Sequence, residues 1–359
     1  MVEGPVAVIG VGLMGASLGL ALRERAGVDV VRGFDASSGN AADALARGAI
    51  TERASSIEAA AAGASTVFLA TPVPYVAELA KIAIGSTDET CVVTDIGSTK
   101  GGVLRALSPE ERRRFVGGHP ICGGETSGPT GARSDLFDGA AWFLTPPDEI
   151  DPELYTRVHR IVAAVGARPT AIDVDEHDRL MAFVSHLPHV LAAMLVNAAA
   201  DATGGGRDAL SAAGPSFRDL TRVAGSNPDL WADILIENAS ALGPVVRESG
   251  VRLAVLAAAI EERDRDAILA EFAAARDGHS RIGPPAPEGG ERITLEVAVA
   301  DRPGALSAIT TALGDAAVNI ADLSLRPGPP GGQGTLLVTV EGGADAELAR
   351  GVLSRSPDL

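Results

Sequence analysis

The chain has 359 residues, 46% of them hydrophobic, and a formal net charge of -17 at pH 7. This length predicts about two or three domains. The acidic balance argues against non-specific binding to nucleic acids or anionic membranes, both of which need clustered lysine and arginine. No run approaches the roughly 20 apolar residues of a membrane span. The two cysteines, Cys91 and Cys122, make neither a disulfide framework nor a zinc-ligand pattern, and no metal site is predicted.

The amino-terminal segment VAVIGVGLMGASLGLALRE is apolar enough to resemble a signal peptide. The residues before it, MVEGP, carry Glu3 and no basic side chain, which is the wrong flank for export. We therefore expect a cytoplasmic protein.

Residues 1–173 alternate short β-branched runs with alanine-rich helical stretches. Runs such as PVAVIG, VVRGFD, STVFLATP and CVVTDIG predict strands. Helices are predicted near residues 13–26, 40–47 and 74–83. Because strands that alternate with helices imply a parallel sheet covered on both faces, the expected fold class is α/β, a doubly wound Rossmann-like domain.

The remainder of the chain predicts two further domains. Residues 174–280 show helical periodicity and no convincing strand, which predicts an all-α domain. Several of its helices are apolar nearly all round, which favours packing against a second copy, and Pro188 is expected to kink or break the first one. Residues 281–291 have the composition of a linker. Residues 292–359 predict a small α+β module of order β-α-β-β-α, ferredoxin-like but without an obvious last strand.

A glycine pattern follows the first predicted strand, with Gly10, Gly12 and Gly15 in IGVGLMG and with Leu13 and Met14 between them. The first glycine permits a tight turn, the second lets the backbone approach a pyrophosphate, and the third lets the helix lie close to the sheet. The helix N-terminus offers free N–H groups to phosphates. Glycines spaced in this way also occur for packing alone, but their place between strand and helix predicts a dinucleotide site that includes all five residues.

Asp35 ends the second predicted strand, 20 residues after Gly15. A carboxylate at this place accepts hydrogen bonds from a ribose 2′-hydroxyl and repels a 2′-phosphate. The following residues, ASSGN, include no arginine that could bind such a phosphate. The predicted cofactor is therefore NAD rather than NADP. Thr71 and Pro72, which end the fourth predicted strand, are expected to line it.

Two polar side chains follow the ends of neighbouring strands, Ser98 in DIGSTKGG and His119 in GGHPICGGETSG. Ligands in doubly wound sheets bind beyond the carboxyl ends of the strands, so both side chains are expected on the nicotinamide side. A lone histidine is more often a satisfied structural residue, and that alternative stays open. His186 and His189 are three residues apart on the first helix of the second domain and share a face.

The motifs GVGLMG, DIGSTKG, GGHPICGGETSG, SHLPH and FRDLTRVAGSNPDLW occur in this order over residues 5–275. This part of the chain resembles the TyrA family of prephenate and arogenate dehydrogenases. DRPGALSAIT and VNIADLS resemble an ACT domain, a small amino-acid sensor. The resemblance implies a homodimeric enzyme of tyrosine biosynthesis with NAD as cofactor. In the implied reaction, hydride leaves the ring carbon that bears the hydroxyl, carbon dioxide departs and the ring becomes aromatic.

The resemblance also implies roles for individual residues. His119 matches the family's catalytic histidine, which accepts the proton of the ring hydroxyl, and Ser98 matches the serine that helps to orient it and the substrate. Arg222 matches the arginine that binds a substrate carboxylate, for which a guanidinium fork is suited. His189 is expected to bind the side-chain carboxylate, with His186 as a packing or supporting residue.

Further positions around the implied site are less specific. Glu125 and Asp219 match acidic positions that pair with arginines at the site entrance, and Trp231 is either a substrate wall or a core residue. Cys122 is expected to be a packed residue rather than a redox switch. The segment AAGPSFRD lacks the run of glycines that some relatives have before Arg222, which predicts a stiffer loop.

The turn after the first strand of the ACT-like module is expected to form an effector pocket, usually at a dimer interface. Asp301, Pro303 and Gly304 supply that turn. Pro303 suits the first turn of a helix, and Gly304 allows close approach of a ligand. Asn319 lies at the start of the second strand. Tyrosine is the expected effector and phenylalanine the next candidate, while a module that only dimerises is the alternative.

Three other functions stay open on the sequence. An arogenate dehydrogenase would act on a substrate with an amino group in place of the keto group, and no residue settles that choice, although Glu125 could attract an ammonium. A β-hydroxyacid dehydrogenase also begins with such a glycine loop, but residues 174–280 contain no lysine to match that family's catalytic one. A catalytically silent sensor of NAD and amino acids is disfavoured because Ser98, His119 and Arg222 occur together.

Overall fold

The computed structural model describes residues 4–123, 128–202, 209–281, 292–300, 302, 305–326 and 333–354. The chain divides into two compact units, residues 1–255 and 256–359. The first unit holds the α/β domain and most of the helical residues, and the second holds the C-terminal module. The domain boundaries drawn from the sequence stay predictions.

The first unit is built on one eight-stranded sheet. In chain order its strands are β1 (Val6–Ile9), β2 (Val31–Phe34), β3 (Glu52–Arg53), β4 (Thr66–Leu69), β5 (Val92–Asp95), β6 (Phe115–Pro120), β7 (Ala141–Thr145) and β8 (Arg168–Ala171). Their order across the sheet is β3-β2-β1-β4-β5-β6-β7-β8. The strand order therefore reverses direction between β1 and β4, and the crevice at such a point is where ligands bind in these sheets.

Helices cover both faces of this sheet, as a doubly wound fold requires. They are α1 (Leu13–Glu24), α2 (Ser38–Ala46), α3 (Ile57–Ala61), α4 (Val73–Gly85), α5 (Gly101–Ala106), α6 (Pro109–Arg112) and α7 (Pro152–Ala164). Successive side chains of β1 enter different cores, because Val6 and Val8 belong to one buried cluster and Ala7 and Ile9 to another. The α/β fold class and the helices predicted near residues 13–26, 40–47 and 74–83 are confirmed.

The sheet is not wholly parallel, and that part of the sequence prediction is wrong. Strand β5 pairs with β6 in parallel, but β6 and β7 are antiparallel, with His119 opposite Phe143. The described residues between β6 and β7 include a short 3-10 turn, Pro129–Gly131, and no α-helix. Without a crossover helix the chain returns in the opposite direction, which an alternation of apolar runs alone does not reveal.

The helical residues begin with α8 (Val174–Met181), a π-helical segment (Ala182–His186) and α9 (Leu187–Asp201), which together form one continuous helix. They are followed by a 3-10 turn (Ala209–Ala212), the short helix α10 (Pro215–Thr221), a second 3-10 turn (Arg222–Gly225), α11 (Pro228–Glu237) and α12 (Ala239–Glu261). The expected disturbance at Pro188 takes the form of the π-helical segment just before it. Because proline lacks the N–H of a regular turn, a local widening is a common way to keep such a helix continuous.

By length and hydropathy alone, Val174–Asp201 could cross a membrane, with a mean hydropathy of 1.5 over its most apolar window. The sequence expectation that no run approaches a span is therefore too strong. The same segment contains His177, Asp178 and His186, all buried and hydrogen-bonded within the first unit. Buried, bonded polar residues of this kind also occur in the core helices of globular domains.

The second unit contains the end of α12, then α13 (Arg265–His279), β9 (Arg292–Ala300), α14 (Ala305–Asp315), β10 (Ile320–Arg326), β11 (Gln333–Glu341) and α15 (Gly342–Ser354). The strands form an antiparallel sheet of order β10-β11-β9, with a core that includes Leu295, Ile309, Leu336 and Val338. The predicted β-α-β-β-α order is confirmed. The described residues hold no fourth strand of this sheet.

Candidate active site

The glycine loop between β1 and α1 is shaped by close backbone contacts. Gly10 has a φ of +88°, and a Cβ there would lie 2.4 Å from the Ala70 oxygen, so only glycine fits the turn. A Cβ on Gly15 would lie 1.8 Å from the Gly10 oxygen, which explains how closely α1 approaches the loop. A Cβ on Gly12 would meet no atom within 4 Å, and Gly12 precedes α1 as an N-cap without a side-chain hydrogen bond. The first N–H groups of α1 are therefore open to a ligand.

Asp35 follows β2 directly and holds this loop in place. Its Oδ2 accepts a hydrogen bond from the Val11 N–H at 2.9 Å, and its Oδ1 accepts one from the Ser37 N–H at 2.8 Å. Oδ1 also accepts a hydrogen bond from the Asn40 side-chain amide at 3.3 Å. Oδ2 can accept a second bond, so the group that fixes the loop keeps acceptor capacity for a sugar hydroxyl at that oxygen.

A cavity of about 750 Å³ opens between this loop and the ends of β2 and β4. Of the expected cofactor residues, it is lined by Gly10, Gly12, Asp35, Thr71 and Pro72. The Thr71 hydroxyl is buried and has no hydrogen-bond partner among the described residues. An orphaned hydroxyl, an uncapped helix and a carboxylate around one cavity fit the donors and acceptors of a dinucleotide.

Leu13 and Met14 do not line this cavity. They are the first two residues of α1, and Met14 packs against the hydrophobic core on one face of the sheet. Their assignment as cofactor contacts stays a prediction.

At the carboxyl end of β5, a buried ion pair joins this strand to β6. The Lys100 ammonium contacts the Asp95 carboxylate and donates to the Gly118 oxygen at 2.8 Å, while the Gly118 N–H donates to Asp95 Oδ1 at 3.1 Å. Both charged side chains are almost fully buried, and burial lowers the pKa of Lys100. The pair therefore fixes the backbone just before His119.

His119, near the end of β6, forms a hydrogen bond to a second histidine. Its Nδ1 lies 2.9 Å from Nε2 of His177, and Nδ1 of His177 lies 2.9 Å from Oδ1 of Asp178. Burial, with added repulsion from His177, Lys100 and His186, holds the pKa of His119 well below its usual range. The ring is consequently neutral near pH 7, as a proton acceptor must be.

His186 in the π-helical segment is buried and contacts Asn238. The Asn238 amide nitrogen lies 2.9 Å from His186 Nδ1 and donates to the Asp178 backbone oxygen at 2.9 Å. Burial lowers the pKa of His186 to about 4. An amide that donates to Nδ1 of a neutral ring leaves the proton on Nε2, so His186 is a hydrogen-bond donor at that nitrogen.

His189 stacks on Trp231, with ring centroids 3.5 Å apart. Its Nδ1 bonds to the Ser185 oxygen at 2.9 Å, and because a carbonyl only accepts, Nδ1 carries the proton. Trp231 also meets His186 edge to face at 6.0 Å. The two histidines therefore share a face, and Trp231 is half-buried against both.

Asp219 lies near the end of α10, and Arg222 lies in the 3-10 turn that follows it. Both side chains are exposed, and the Arg222 N–H donates to the Asp219 backbone oxygen. Trp231 lies on α11, one short loop later. The structure thus brings His119, His186, His189 and Trp231 into one region of the first unit, while Asp219 and Arg222 lie on its exposed surface.

Among the described residues, one expected partner of His119 is not bonded to it. Ser98 is half-buried after β5, and among the described residues it makes no hydrogen bond to the histidine. Glu125 lies outside the described residues. Cys122 is half-buried and packs against the core, and burial raises the pKa of its thiol to about 11, which fits the expected packed residue.

Five residues around His119 were missed by the sequence reasoning. We call them, together with His119 and His186, the histidine network: Asp95, Lys100, His119, His177, Asp178, His186 and Asn238. The signals were present in part, because Asp95 and Lys100 belong to the quoted DIGSTKG motif. His177 and Asp178 stand side by side in DEHD, where acidic residues are also typical of a helix start.

Of the four effector residues expected in the ACT-like module, Asn319 is among the described residues. Asp301, Pro303 and Gly304 lie outside the described residues, and Asn319 is exposed directly before β10. The effector residues therefore stay predictions.

Comparison with known proteins identifies the family. Residues 18–171 match the model "Prephenate dehydrogenase, nucleotide-binding domain", residues 173–274 match "Prephenate dehydrogenase, dimerization domain", and residues 293–356 match "ACT domain". A prephenate dehydrogenase of Bacillus subtilis is 31% identical over 88% of this chain and 86% of its own length. The chain belongs to the prephenate dehydrogenase family. It is accordingly an NAD-dependent oxidoreductase with a C-terminal ACT domain.

Two solved structures extend this result. The prephenate dehydrogenase of A. aeolicus, in complex with hydroxyphenyl propionate and NAD+, has a TM-score of 0.74 and 30% identity, over 79% of this chain and 99% of that one. Synechocystis arogenate dehydrogenase has a TM-score of 0.68 and 28% identity, over 77% and 99%. Membership of this family excludes the β-hydroxyacid dehydrogenase and the catalytically silent sensor as alternatives. The choice of substrate between prephenate and arogenate stays open.

Proposed function

We propose that this enzyme converts prephenate to 4-hydroxyphenylpyruvate, with NAD as the oxidant, in tyrosine biosynthesis. The observation that carries the proposal is the neutral imidazole of His119, held at the end of β6 by a hydrogen bond through Nδ1. This leaves Nε2 as the atom that can receive a proton. A proton acceptor at the carboxyl ends of the strands is the group that oxidation of a ring hydroxyl requires.

In the proposed reaction one proton moves from the ring hydroxyl to His119 and back to the same oxygen, and atoms and charge balance. Bound NAD supplies the hydride acceptor for the ring carbon that carries the hydroxyl. As the hydride leaves, the C–O bond gains double-bond character and His119 Nε2 takes the hydroxyl proton. Loss of carbon dioxide then leaves its bonding electrons in the ring, which becomes aromatic with its oxygen as a phenolate. His119 returns the proton to that oxygen, so the products are 4-hydroxyphenylpyruvate, carbon dioxide and NADH.

The substrate carries two carboxylates, and a chain with a net charge of -17 must provide local positive charge for them. We assign Arg222 to one carboxylate because its exposed guanidinium can form a bidentate pair. We keep His189 as the group for the side-chain carboxylate. Because Nδ1 of His189 donates to the Ser185 oxygen, its Nε2 can donate to a carboxylate only when the ring holds a second proton.

The remaining roles follow the sequence interpretation. Ser98 is proposed to orient the substrate, Glu125 and Asp219 to control the entrance, and Trp231 to form a substrate wall, which its stack on His189 supports. The cofactor contacts are proposed at the residues that line the cavity, with Asp35 as the acceptor for the ribose.

Arogenate oxidation is the second candidate function. Similarity to the Synechocystis arogenate dehydrogenase supports it, at almost the same identity as the prephenate enzymes. The test is formation of NADH from NAD, and of NADPH from NADP, with prephenate and with arogenate as substrates. A larger kcat/KM for prephenate with NAD supports the first proposal. A larger value for arogenate would replace it, and a much lower KM for NADP would overturn the assignment of Asp35.

We further propose that the enzyme is a cytoplasmic homodimer. Residues 173–274 match a dimerization domain, and the helices there expose large apolar side chains within the first unit: Leu191, Met194, Leu195, Leu220, Ile236, Val251, Leu253 and Val255. Ile236→Glu should lower the molar mass measured by light scattering, whereas Leu45→Glu on α2 should not. An unchanged mass in variants at Ile236 and Val255 would contradict this face as the interface.

For the ACT domain we propose binding of tyrosine, the amino acid made from the product. Calorimetry should detect tyrosine binding to the full chain, and kinetics should change with it. No binding and unchanged kinetics would leave only a role in assembly, and binding of phenylalanine alone would replace tyrosine as the effector.

A further inference from the structure

The Asp178 carboxylate can only accept hydrogen bonds in this fold. Burial raises its pKa, but bonds from His177 and from the Gly101 and Lys100 N–H groups outweigh burial, so the pKa lies below its ordinary value. Those two N–H groups lie 2.8 and 2.9 Å from its oxygens. An ionised carboxylate has no proton to donate, and therefore Nδ1 of His177 must carry the proton of the bond that joins them.

The position of the proton on His177 in turn determines the position of the proton on His119. When the His177 ring is neutral with its proton on Nδ1, its Nε2 holds a lone pair. The facing Nδ1 of His119, 2.9 Å away, must then donate. A neutral His119 that donates through Nδ1 has its lone pair on Nε2. The orientation is well fixed, because His177 is fully buried and Phe143 meets its ring edge to face at 5.8 Å.

We infer that His177 and Asp178 are positioning residues that keep the proton of His119 on Nδ1 and thereby leave Nε2 free to accept the substrate proton. The inference rests on the proposed function only for the use made of Nε2. Neither residue is a catalytic group, since each acts through another side chain. After proton transfer, the same bonds would hold the His119 cation with its Nδ1–H directed at His177 and the negative charge of Asp178 behind it.

The other ionisable groups around His119 do not fix its tautomer. Lys100, at the start of α5, is directed to Asp95 and the Gly118 oxygen, and His186 bonds to Asn238. They influence the charge of His119 without bonding to it. The Nδ1 contact with His177 is thus the one bond among the described residues that decides which nitrogen is protonated.

The first test is Asp178→Asn, which replaces an acceptor by a group that can donate. The amide can give a proton to Nδ1 of His177 and reverse both rings, so that His119 presents an N–H to the substrate. We expect kcat to fall at least about a hundredfold, with KM and NAD affinity nearly unchanged. Asp173→Asn is the matched control, because Asp173 caps α8 through acceptor bonds that asparagine also makes, and it should leave kcat unchanged.

Ring-nitrogen NMR of the ¹⁵N-histidine-labelled protein reads the tautomer directly, with the His119 signals assigned by loss in His119→Asn. At pH 7.5 the full-length enzyme should show a protonated Nδ1 and an unprotonated Nε2, and Asp178→Asn should exchange them. This reading needs no substrate, so it separates failure of this inference from failure of the proposed function. An Nε2-protonated His119 in the unaltered enzyme would overturn the inference even if prephenate is oxidised.

A second pair of variants keeps the test decisive if Asp178→Asn does not fold. His177→Gln retains a donor toward Asp178 and an acceptor toward His119 at similar separation, and kcat should stay within about tenfold of the unaltered enzyme. His177→Leu removes both and should lose at least about a hundredfold. Equal kcat values for the two variants, or wild-type kcat in His177→Leu, would contradict the positioning role.

Discussion

The proposed site has two halves, the histidine network and the end of α10, and they differ in how far their polar side chains are buried. In the network, the charged and polar side chains are buried and bonded to one another, from the Lys100–Asp95 pair to His119 and His177. At the end of α10, Asp219 and Arg222 are exposed and lie beside large apolar side chains that are exposed as well. The difference supports a proton acceptor that is organised before substrate arrives, and the proposed capture of substrate by Arg222 would take place at an exposed position.

We expect the largest effect from His119→Asn, which tests whether the buried half of the site supplies the proton acceptor. Asparagine cannot take the hydroxyl proton, so kcat should fall by about 10²- to 10⁴-fold. NAD affinity should stay near normal, because His119 does not line the cofactor cavity. His159→Asn on the exposed side of α7 is the control and should behave as the unaltered enzyme. A small loss of kcat, or a loss confined to NAD binding, would remove His119 as the acceptor.

The burial of the network predicts an effect on folding from Lys100→Met. Methionine fills a similar volume but leaves the Asp95 carboxylate buried without its partner, so the free energy of unfolding should fall by about 3–5 kcal/mol. Urea unfolding followed by circular dichroism measures it. The control is Arg252→Met, which breaks an exposed pair with Glu248 and should change stability by no more than about 0.5 kcal/mol. Equal effects would mean that the network does not stabilise the fold more than a surface pair does.

Much of this architecture could be predicted from the sequence, since strands, glycine turns and helices have local signals. The glycine loop, Asp35 after β2 and His119 near the end of β6 all follow from spacing and from the rule that ligands bind at strand ends. The His119–His177 bond could not be predicted in the same way. It joins residues 58 apart, and only the packing of α8 over the strand ends brings them together. Lys100 was missed because lysine is rarely buried, and its burial depends on Asp95.

The exposed half is tested by Arg222→Ala. Loss of a charged hydrogen bond to a carboxylate should raise KM by about ten- to a hundredfold, equivalent to about 1.5–3 kcal/mol, with a much smaller change in kcat. The free energy of unfolding should change by no more than about 1 kcal/mol, since interactions of an exposed arginine contribute little to stability. Arg218→Ala, one turn earlier on α10, is the matched control with an unchanged KM. If KM stays the same in Arg222→Ala as well, substrate capture does not use this surface.

The smallest expected effect is the loss of folding stability at acidic pH, which should arise from the buried histidine network and not from exposed histidines. Burial lowers the folded-state pKa of His186 to about 4, below an unfolded value near 6.5, so the unfolded chain binds more protons between these values. The associated stability is present above about pH 6.5 and is lost as the pH falls toward 4. From pH 7 to 5 this one residue should cost about 1 kcal/mol after allowance for solvent screening. His186→Gln should reduce that slope in urea unfolding at pH 7, 6 and 5, whereas His159→Gln, at an exposed position, should leave it unchanged. An identical slope in both variants would show that the buried ring is not held neutral, and the contrast between buried and exposed halves would then lose its electrostatic basis.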